Sequence, residues 1–215
     1  MKISLDSPFF EKGDRVGELF FAGFLWLLFS LPIVTIGPAS SALYYTTVKV
    51  VRRKRDTVWR SFISAFKSNL KQGILITCLY LAVFLIVLLG FMAGKNVQAG
   101  TELSMLAAAG FVVCIPFVLI LPWIFPIISR FQAGILKQFQ YAVCMALGHL
   151  PTTLGLIFLL LCTVFFMYLL PFLLLVLPGI YTWLSSMMIE RVMKGYMKKE
   201  LEKYTDEEDI PWYLE

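Results

Sequence analysis

The amino-acid sequence predicts an all-α protein, a polytopic membrane helix bundle. Residues 150–189 form a run of 40 positions without a formally charged side chain. At about 1.5 Å of rise per residue, such a run makes a helix of roughly 60 Å, twice the thickness of the hydrocarbon core of a bilayer. We therefore expect this run to cross the membrane, turn and cross back. The composition agrees, since 59% of the 215 residues are hydrophobic and only 15% are charged.

Three further charge-free runs indicate additional spanning helices. They cover residues 19–48, 72–94 and 103–129, with lengths of 30, 23 and 27 residues. Each can hold the roughly 20 apolar residues that a transmembrane helix needs. The sequence therefore predicts one membrane domain over residues 1–215 with about five spans, near residues 18–36, 73–94, 103–129, 151–170 and 172–190. A large soluble domain is excluded, because the charged surface that it requires is missing.

Basic residues predict which way the helices face. Eight of the nineteen Lys and Arg lie between Lys49 and Lys71, five more follow the last predicted span, and the loop around Lys95 holds one. Lys and Arg are concentrated in cytoplasmic loops of membrane proteins. We therefore expect a basic loop and an amphipathic helix over residues 49–72, and a helix with an acidic tail over residues 191–215, on the cytoplasmic face of the plasma membrane. Five spans place the N-terminus outside.

The N-terminal segment has a second interpretation. An outside N-terminus puts Lys2, Lys12 and Arg15 on the face that the basic-residue rule disfavours. In the alternative, residues 19–48 enter the membrane and return on the same side, with a break at Pro32 and at Gly37-Pro38. Each half would be too short to span a bilayer.

Residues 57–72 have the pattern of a helix that lies at the membrane surface. Apolar side chains recur at three- and four-residue spacing, and basic ones occupy much of the opposite face. Basic side chains on such a helix attract anionic lipid. The candidate contacts for a lipid surface or a partner protein are Arg52, Arg53, Lys54, Arg55, Trp59, Arg60, Phe62, Phe66, Lys67, Asn69 and Lys71. The alternative role of this helix is topological anchoring alone.

Small residues mark candidate helix-packing positions at Gly90, Gly94 and Gly110, within one chain or between copies of a homo-oligomer. No catalytic, cofactor-binding or metal-binding residues are predicted. His149 is the only histidine, and the cores of the predicted spans contain no Asp, Glu, Lys or Arg that could serve as a proton-binding group, since Arg130, Glu190 and Arg191 lie at span ends. We therefore predict that the protein is not an enzyme and takes no cofactor. The run Arg52 to Arg55 is explained by its membrane flank rather than by nucleic acid.

Three segments resemble the YesL family, which comprises small integral membrane proteins of Gram-positive bacteria. They read LLFSLPIVTIGP at residues 27–38, ALYY at residues 42–45 and FISAFKSNLKQ at residues 62–72. The resemblance implies an all-helical membrane fold, and genes that often accompany carbohydrate uptake systems of the ABC type. It implies no catalytic residues.

The resemblance and the missing midplane charges lead to one expected function and one alternative. The expected function is a non-enzymatic accessory or assembly subunit that associates with the permease subunits of a carbohydrate ABC transporter. The alternative is a transporter or channel for small solutes that acts alone, as a monomer or an oligomer. A lipid-active enzyme is less favoured, because the sequence lacks a carboxylate, histidine or metal constellation.

Overall fold

The computed structural model describes residues 8–95, 101–131 and 133–201, and this part of the chain is all-α, as predicted. It forms seven α-helices with short 3₁₀ and π segments, and it contains no strands. The α-helices are α1 (Pro8–Phe29), α2 (Ile36–Thr46), α3 (Val58–Lys95), α4 (Thr101–Arg130), α5 (Ile135–Gly148), α6 (Leu150–Leu169) and α7 (Leu177–Leu201).

The N-terminal helices form a hairpin. Helix α1 ends at Phe29, because Pro32 has no N–H to continue the helix and disfavours helical geometry in the residue before it. The Thr35 hydroxyl donates to the carbonyls of Phe29 and Pro32, at 2.6 and 2.7 Å, and so satisfies the open helix end. Helix α2 then returns beside α1, where the Trp26 indole N–H donates to Ser40 Oγ at 3.1 Å. The predicted span near residues 18–36 is not one continuous helix: the chain breaks around Pro32, as the alternative interpretation expects, whereas Gly37-Pro38, its second expected break, lies within α2.

Helix α3 is continuous from Val58 to Lys95 and measures about 57 Å. The predicted surface helix and the predicted span at 73–94 are therefore one helix. The tip of the hairpin packs against it where Gly37 N–H donates to Thr77 Oγ1 at 3.0 Å. A Cβ on Gly73 would stand 2.6 to 2.8 Å from atoms of Pro38, so only glycine permits this approach. The contact lies about 22 to 28 Å along α3, near half its length.

The remaining predicted spans form helices with shifted ends. Helix α4 contains the predicted segment 103–129 and continues through three prolines to Arg130. Helix α6 matches the prediction at 151–170. Helix α7 unites the predicted last span with the helix expected after residue 191, and a 3₁₀ segment, Pro171–Leu175, precedes it. The predicted acidic tail from residue 202 onward lies outside the described residues.

Two of the described helices are long and apolar enough to cross a membrane. They are the segments Val58–Gly90 and Leu150–Leu169, and Cys114–Arg130 is a shorter apolar helix. Most of their residues are not buried within the protein, and large side chains such as Ile86 and Phe158 are exposed. Because exposed apolar side chains of this density are unfavourable in water, these helices suggest a membrane protein.

Two apolar clusters hold the bundle together. One joins the hairpin to the beginning of α3 and includes Leu25, Leu43 and Phe62. The other joins α2, α3, α4, α5, α6 and α7 around the fully buried Trp123, whose indole N–H donates to Thr153 Oγ1 at 3.0 Å. The C-terminal helix thus packs on helices from both halves of the chain.

Candidate functional site

Four charged side chains meet at one end of the bundle, which we call the basic end, and we call the group the arginine cluster. Glu190 of α7 forms an ion pair with Arg130, the last residue of α4. The side chains of both are almost fully buried, with exposures of 8% and 2%. Arg52 and Arg53 lie 3.9 and 3.8 Å from the same carboxylate. Three guanidinium groups thus surround the Glu190 carboxylate.

A π-helical turn brings Arg52 to the cluster. The segment Thr47–Arg52 continues α2 with wider turns than an α-helix. From its end, Arg52 Nη1 donates to the Ser186 carbonyl at 2.9 Å and to the Ser186 hydroxyl at 3.3 Å. One turn earlier on α7, the Thr182 and Thr47 hydroxyls lie 3.0 Å apart. The hairpin is therefore tied to α7 by polar contacts at two levels.

The loop between the π-helical segment and α3 is organised by Asp56. Its carboxylate accepts hydrogen bonds from the Thr57 N–H at 2.8 Å, the Ser61 hydroxyl at 3.1 Å and the Lys49 ammonium at 3.0 Å. These bonds, led by the one from Thr57, lower the pKa of Asp56 from 3.8 to about 2. Lys54 and Asp56 have positive φ angles of 51° and 74°, a conformation that non-glycine residues adopt at a cost. The Asp56 hydrogen bonds stabilise this turn.

A cavity of about 480 Å³ lies inside the bundle and reaches toward the arginine cluster. Residues from the hairpin, α3, α4, α6 and α7 line it, and most of them are apolar. Tyr44 and Ser185 lie at its inner end, and both are buried. Tyr44 is next to Arg130, and Ser185 precedes the serine that binds Arg52. The cluster therefore closes the cavity toward the basic end.

The residues predicted to contact a lipid surface or a partner divide into two groups. Arg52 and Arg53 belong to the arginine cluster, and Phe62 and Asn69 are buried. Phe66 is half-buried, and its ring packs against that of Phe29 of α1 in a tilted arrangement, with 4.9 Å between the ring centroids. The apolar face of the first turns of α3 is therefore covered by the protein's own hairpin. The exposed members are Lys54, Arg55, Trp59, Arg60, Lys67 and Lys71.

Of the three glycines predicted to lie at helix-packing positions, Gly110 faces a neighbouring helix. A Cβ on Gly110 would lie 3.8 Å from the Val87 side chain, so Gly110 faces α3 of the same chain. Gly90 and Gly94 are within α3, and the surroundings of Gly94 lie outside the described residues.

Neither the ion pair between Arg130 and Glu190 nor the cavity was predicted from the sequence. A signal for the pair was present, because each residue directly follows a long charge-free run and the two carry opposite charges. Two charges of opposite sign at equivalent ends of apolar helices can neutralise each other. The cavity has no comparable signal, since it depends on where the hairpin stops.

The described residues form an all-helical structure with two helices apolar enough to span a membrane, and the arginine cluster lies at its basic end. A family model described as "Protein of unknown function, DUF624" matches residues 19–91, about a third of the chain. The matched segment contains the second half of α1, all of α2 and α3 up to Phe91, so it covers most of the hairpin and the helix on which it packs. No curated protein and no solved structure matches the chain.

The side chains that converge in the described bundle are suited to binding charged or apolar partners. Among the described residues, no group of three or more His, Cys, Asp and Glu side chains is placed to hold a metal ion. His149 contacts the Tyr196 hydroxyl at 3.5 Å on the surface. The side chains that converge in the bundle are guanidinium groups, one carboxylate, hydroxyls and apolar groups, which can bind charged or apolar partners.

Proposed function

We propose that this chain is a YesL-type protein of the bacterial plasma membrane and serves as a non-enzymatic accessory or assembly subunit of a carbohydrate ABC transporter. The resemblance at residues 27–72 supports the family and the transport context. The observation that carries the proposal is the basic end, where Trp59 and Arg60 are exposed at the start of a helix whose opposite face is packed on the hairpin. An aromatic ring beside a guanidinium on a rigid support is a typical anchor of a protein interface.

We further propose four membrane spans and a re-entrant hairpin in place of five spans. Helices α3, α4, α6 and α7 cross, and the hairpin enters and returns at the basic end. This arrangement supports a cytoplasmic N-terminus and C-terminus, because it collects Arg15, the basic loop and the residues after Glu190 on one side and leaves Lys95 on the other. A reporter that is active only in the cytoplasm, fused to the N-terminus, tests this: an inactive N-terminal fusion beside an active C-terminal one refutes it.

Co-purification tests the accessory role. A tagged chain, extracted in mild detergent from cells grown on the carbohydrate that induces the uptake system, should bring down permease subunits. The double variant Trp59→Ala with Arg60→Glu should lose them, whereas Lys194→Glu, which reverses an exposed charge on α7, should retain them. Isolation of the chain alone, together with unchanged carbohydrate uptake in a deletion strain, would overturn the proposal.

The cavity favours a second candidate, a small-solute transporter or channel that acts alone. A cavity of about 480 Å³ is within the size range of ligand sites, and its inner end is separated from the basic end by an ion pair that could open. Purified protein in sealed vesicles should then release or accumulate a solute from a panel of sugars and ions. Vesicles that stay as tight as protein-free ones would exclude this candidate.

A further inference from the structure

Part of the cavity lies beyond the tip of the N-terminal hairpin, and part lies beside α2 as far as Tyr44. The tip of the hairpin meets α3 at Gly73 and Thr77, near half the length of that helix. The α3 residues that line the cavity begin at Thr77 and continue to Phe84, in the direction away from the basic end. Beyond the tip, α3, α4, α6 and α7 continue without the hairpin between them. The space that two further helical segments would fill is thus left open.

Most hydroxyl groups around the cavity are bonded within the protein; the buried Tyr44 hydroxyl at its inner end is an exception. The hydroxyls of Thr77 and Thr163 donate to backbone carbonyls of their own helices at 2.8 Å, and the Tyr80 hydroxyl donates to the Phe117 carbonyl at 3.1 Å. At the inner end, the Ser185 hydroxyl donates to a carbonyl of α7 at 3.2 Å. A site for sugars would present several polar groups toward its ligand. These groups instead face backbone, and apolar side chains supply most of the lining.

The mouth of the cavity faces the apolar surroundings of the bundle. Phe84 of α3 and Val164 of α6 line the cavity and are among the exposed large hydrophobic residues, as is Ile33 at the tip of the hairpin. Phe84 and Val164 belong to the two helices that are long and apolar enough to cross a membrane. What lies against this mouth in a membrane is therefore hydrocarbon rather than water.

We infer that the cavity is a binding site for the hydrocarbon chain of a membrane lipid. The volume is within the range of sites that enclose a molecule of drug size, and an empty apolar cavity forfeits the dispersion contacts that a chain would supply. The ligand enters sideways through the mouth at Phe84 and Val164, and its chain ends against Tyr44 and Ser185. This inference is independent of the accessory role, because it concerns the interior of the bundle and not its basic end.

Trp26 reports on occupancy of the cavity. Its ring lines the cavity, and the other tryptophans of the described residues, Trp59, Trp123 and Trp183, do not. The full chain is reconstituted in phosphatidylcholine vesicles in which a rising fraction of the lipid carries bromine on its acyl chains, and bromine quenches tryptophan on contact. The difference between the natural protein and Trp26→Phe isolates the Trp26 signal. We expect that signal to fall by more than half in fully brominated vesicles.

Variants that fill the cavity decide whether the quenching comes from inside it. Thr163→Phe and Leu160→Phe place rings among the lining residues, whereas Leu161→Phe adds the same group to an exposed position of the same helix. The Trp26 signal should lose at least half of its quenching in either filled variant and keep it in Leu161→Phe. Thr163→Val preserves volume and checks that loss of the hydroxyl has no effect of its own.

Two outcomes overturn the inference: a Trp26 that neither brominated phospholipid nor brominated free fatty acid quenches, or equal quenching in the filled variants and in Leu161→Phe. A second arm identifies the source of the chain. Brominated free fatty acid is added at low mole fraction to unbrominated vesicles, with the same filled and control variants. If the free fatty acid quenches Trp26 and the filled variants remove this quenching, the site binds free acids. If only brominated phospholipid quenches Trp26, the site binds the acyl chain of a phospholipid.

Discussion

Replacing Glu190 by alanine should destabilise the protein more than any other removal of a described acidic side chain. Glu190 is the only carboxylate of the arginine cluster, and its loss leaves three guanidinium groups near one another, with Arg130 almost fully buried. Removing one partner of a buried ion pair costs about 3–5 kcal/mol, because the other charge loses a compensating charge inside the protein. The two more exposed arginines, at 3.8 and 3.9 Å, add little to this figure.

The magnitude can be measured as a shift of the thermal unfolding midpoint in detergent. For a chain of this length, a change of 1 kcal/mol shifts the midpoint by roughly 2–4 °C, so Glu190→Ala should lower it by about 6–20 °C. Asp14→Ala, which removes an exposed carboxylate from α1, is the matched control and should change stability by less than about 0.5 kcal/mol.

A double variant separates charge burial from simple loss of packing. Arg130→Met combined with Glu190→Leu replaces the ion pair by apolar side chains of similar size, and it should be more stable than Glu190→Ala by about 2 kcal/mol or more. The reasoning would be refuted if Glu190→Ala unfolded within about 1 kcal/mol of the natural protein. It would also fail if the double variant were no more stable than the single one.

Three further predictions concern the hairpin, the loop and the apolar core. Gly73→Val should prevent close packing of the hairpin on α3, because its Cβ would overlap Pro38. Proteolysis within the hairpin should therefore accelerate. Gly13→Ala, at a position with open space around it, should leave the rate of proteolysis unchanged. The carboxylate of Asp56 should stabilise the loop fully above about pH 4 and lose this effect as the pH falls toward 2, since its pKa is lowered in the folded state. In Asp56→Asn, the unfolding midpoint should therefore lack the part of its decrease between about pH 4 and pH 2 that is due to Asp56. Trp123→Phe should cost about 1–3 kcal/mol in denaturant unfolding, because Thr153 loses its indole donor inside the core.

Apolar runs and proline positions predict most helices of this fold, but not which neighbouring segments are one helix. The expected boundary near residue 72 follows from a change from basic to apolar side chains, which indicates where a helix would leave the aqueous interface. It does not indicate where a helix ends, and α3 continues across it. A helix break near Pro32 was predictable, since proline has no N–H to continue the hydrogen bonds of a helix. Whether the broken segment crosses or returns is decided by packing at Gly37 and Gly73.

The candidate site was only partly predictable for the same reason. The pattern at residues 57–72 predicts an apolar face that includes Trp59 and Phe62; Trp59 is exposed, and the structure covers the face near Phe62 with the hairpin instead of leaving it to lipid. Hydropathy records that a side chain avoids water, and it does not distinguish protein from hydrocarbon as the covering. Arg52 and Arg53 likewise read as surface charges, because their partner Glu190 is more than 130 positions away in the chain.

That separation has a consequence for how the protein is made. Arg130 is synthesised 60 residues before the glutamate that neutralises it, and the hairpin that contributes Arg52 is synthesised earlier still. Until α7 has been synthesised, these guanidinium groups lack the carboxylate around which they gather. Chains that stop short of Glu190 should therefore be degraded faster than the full chain, and completion of the last helix is the step that converts the polypeptide into a mature bundle.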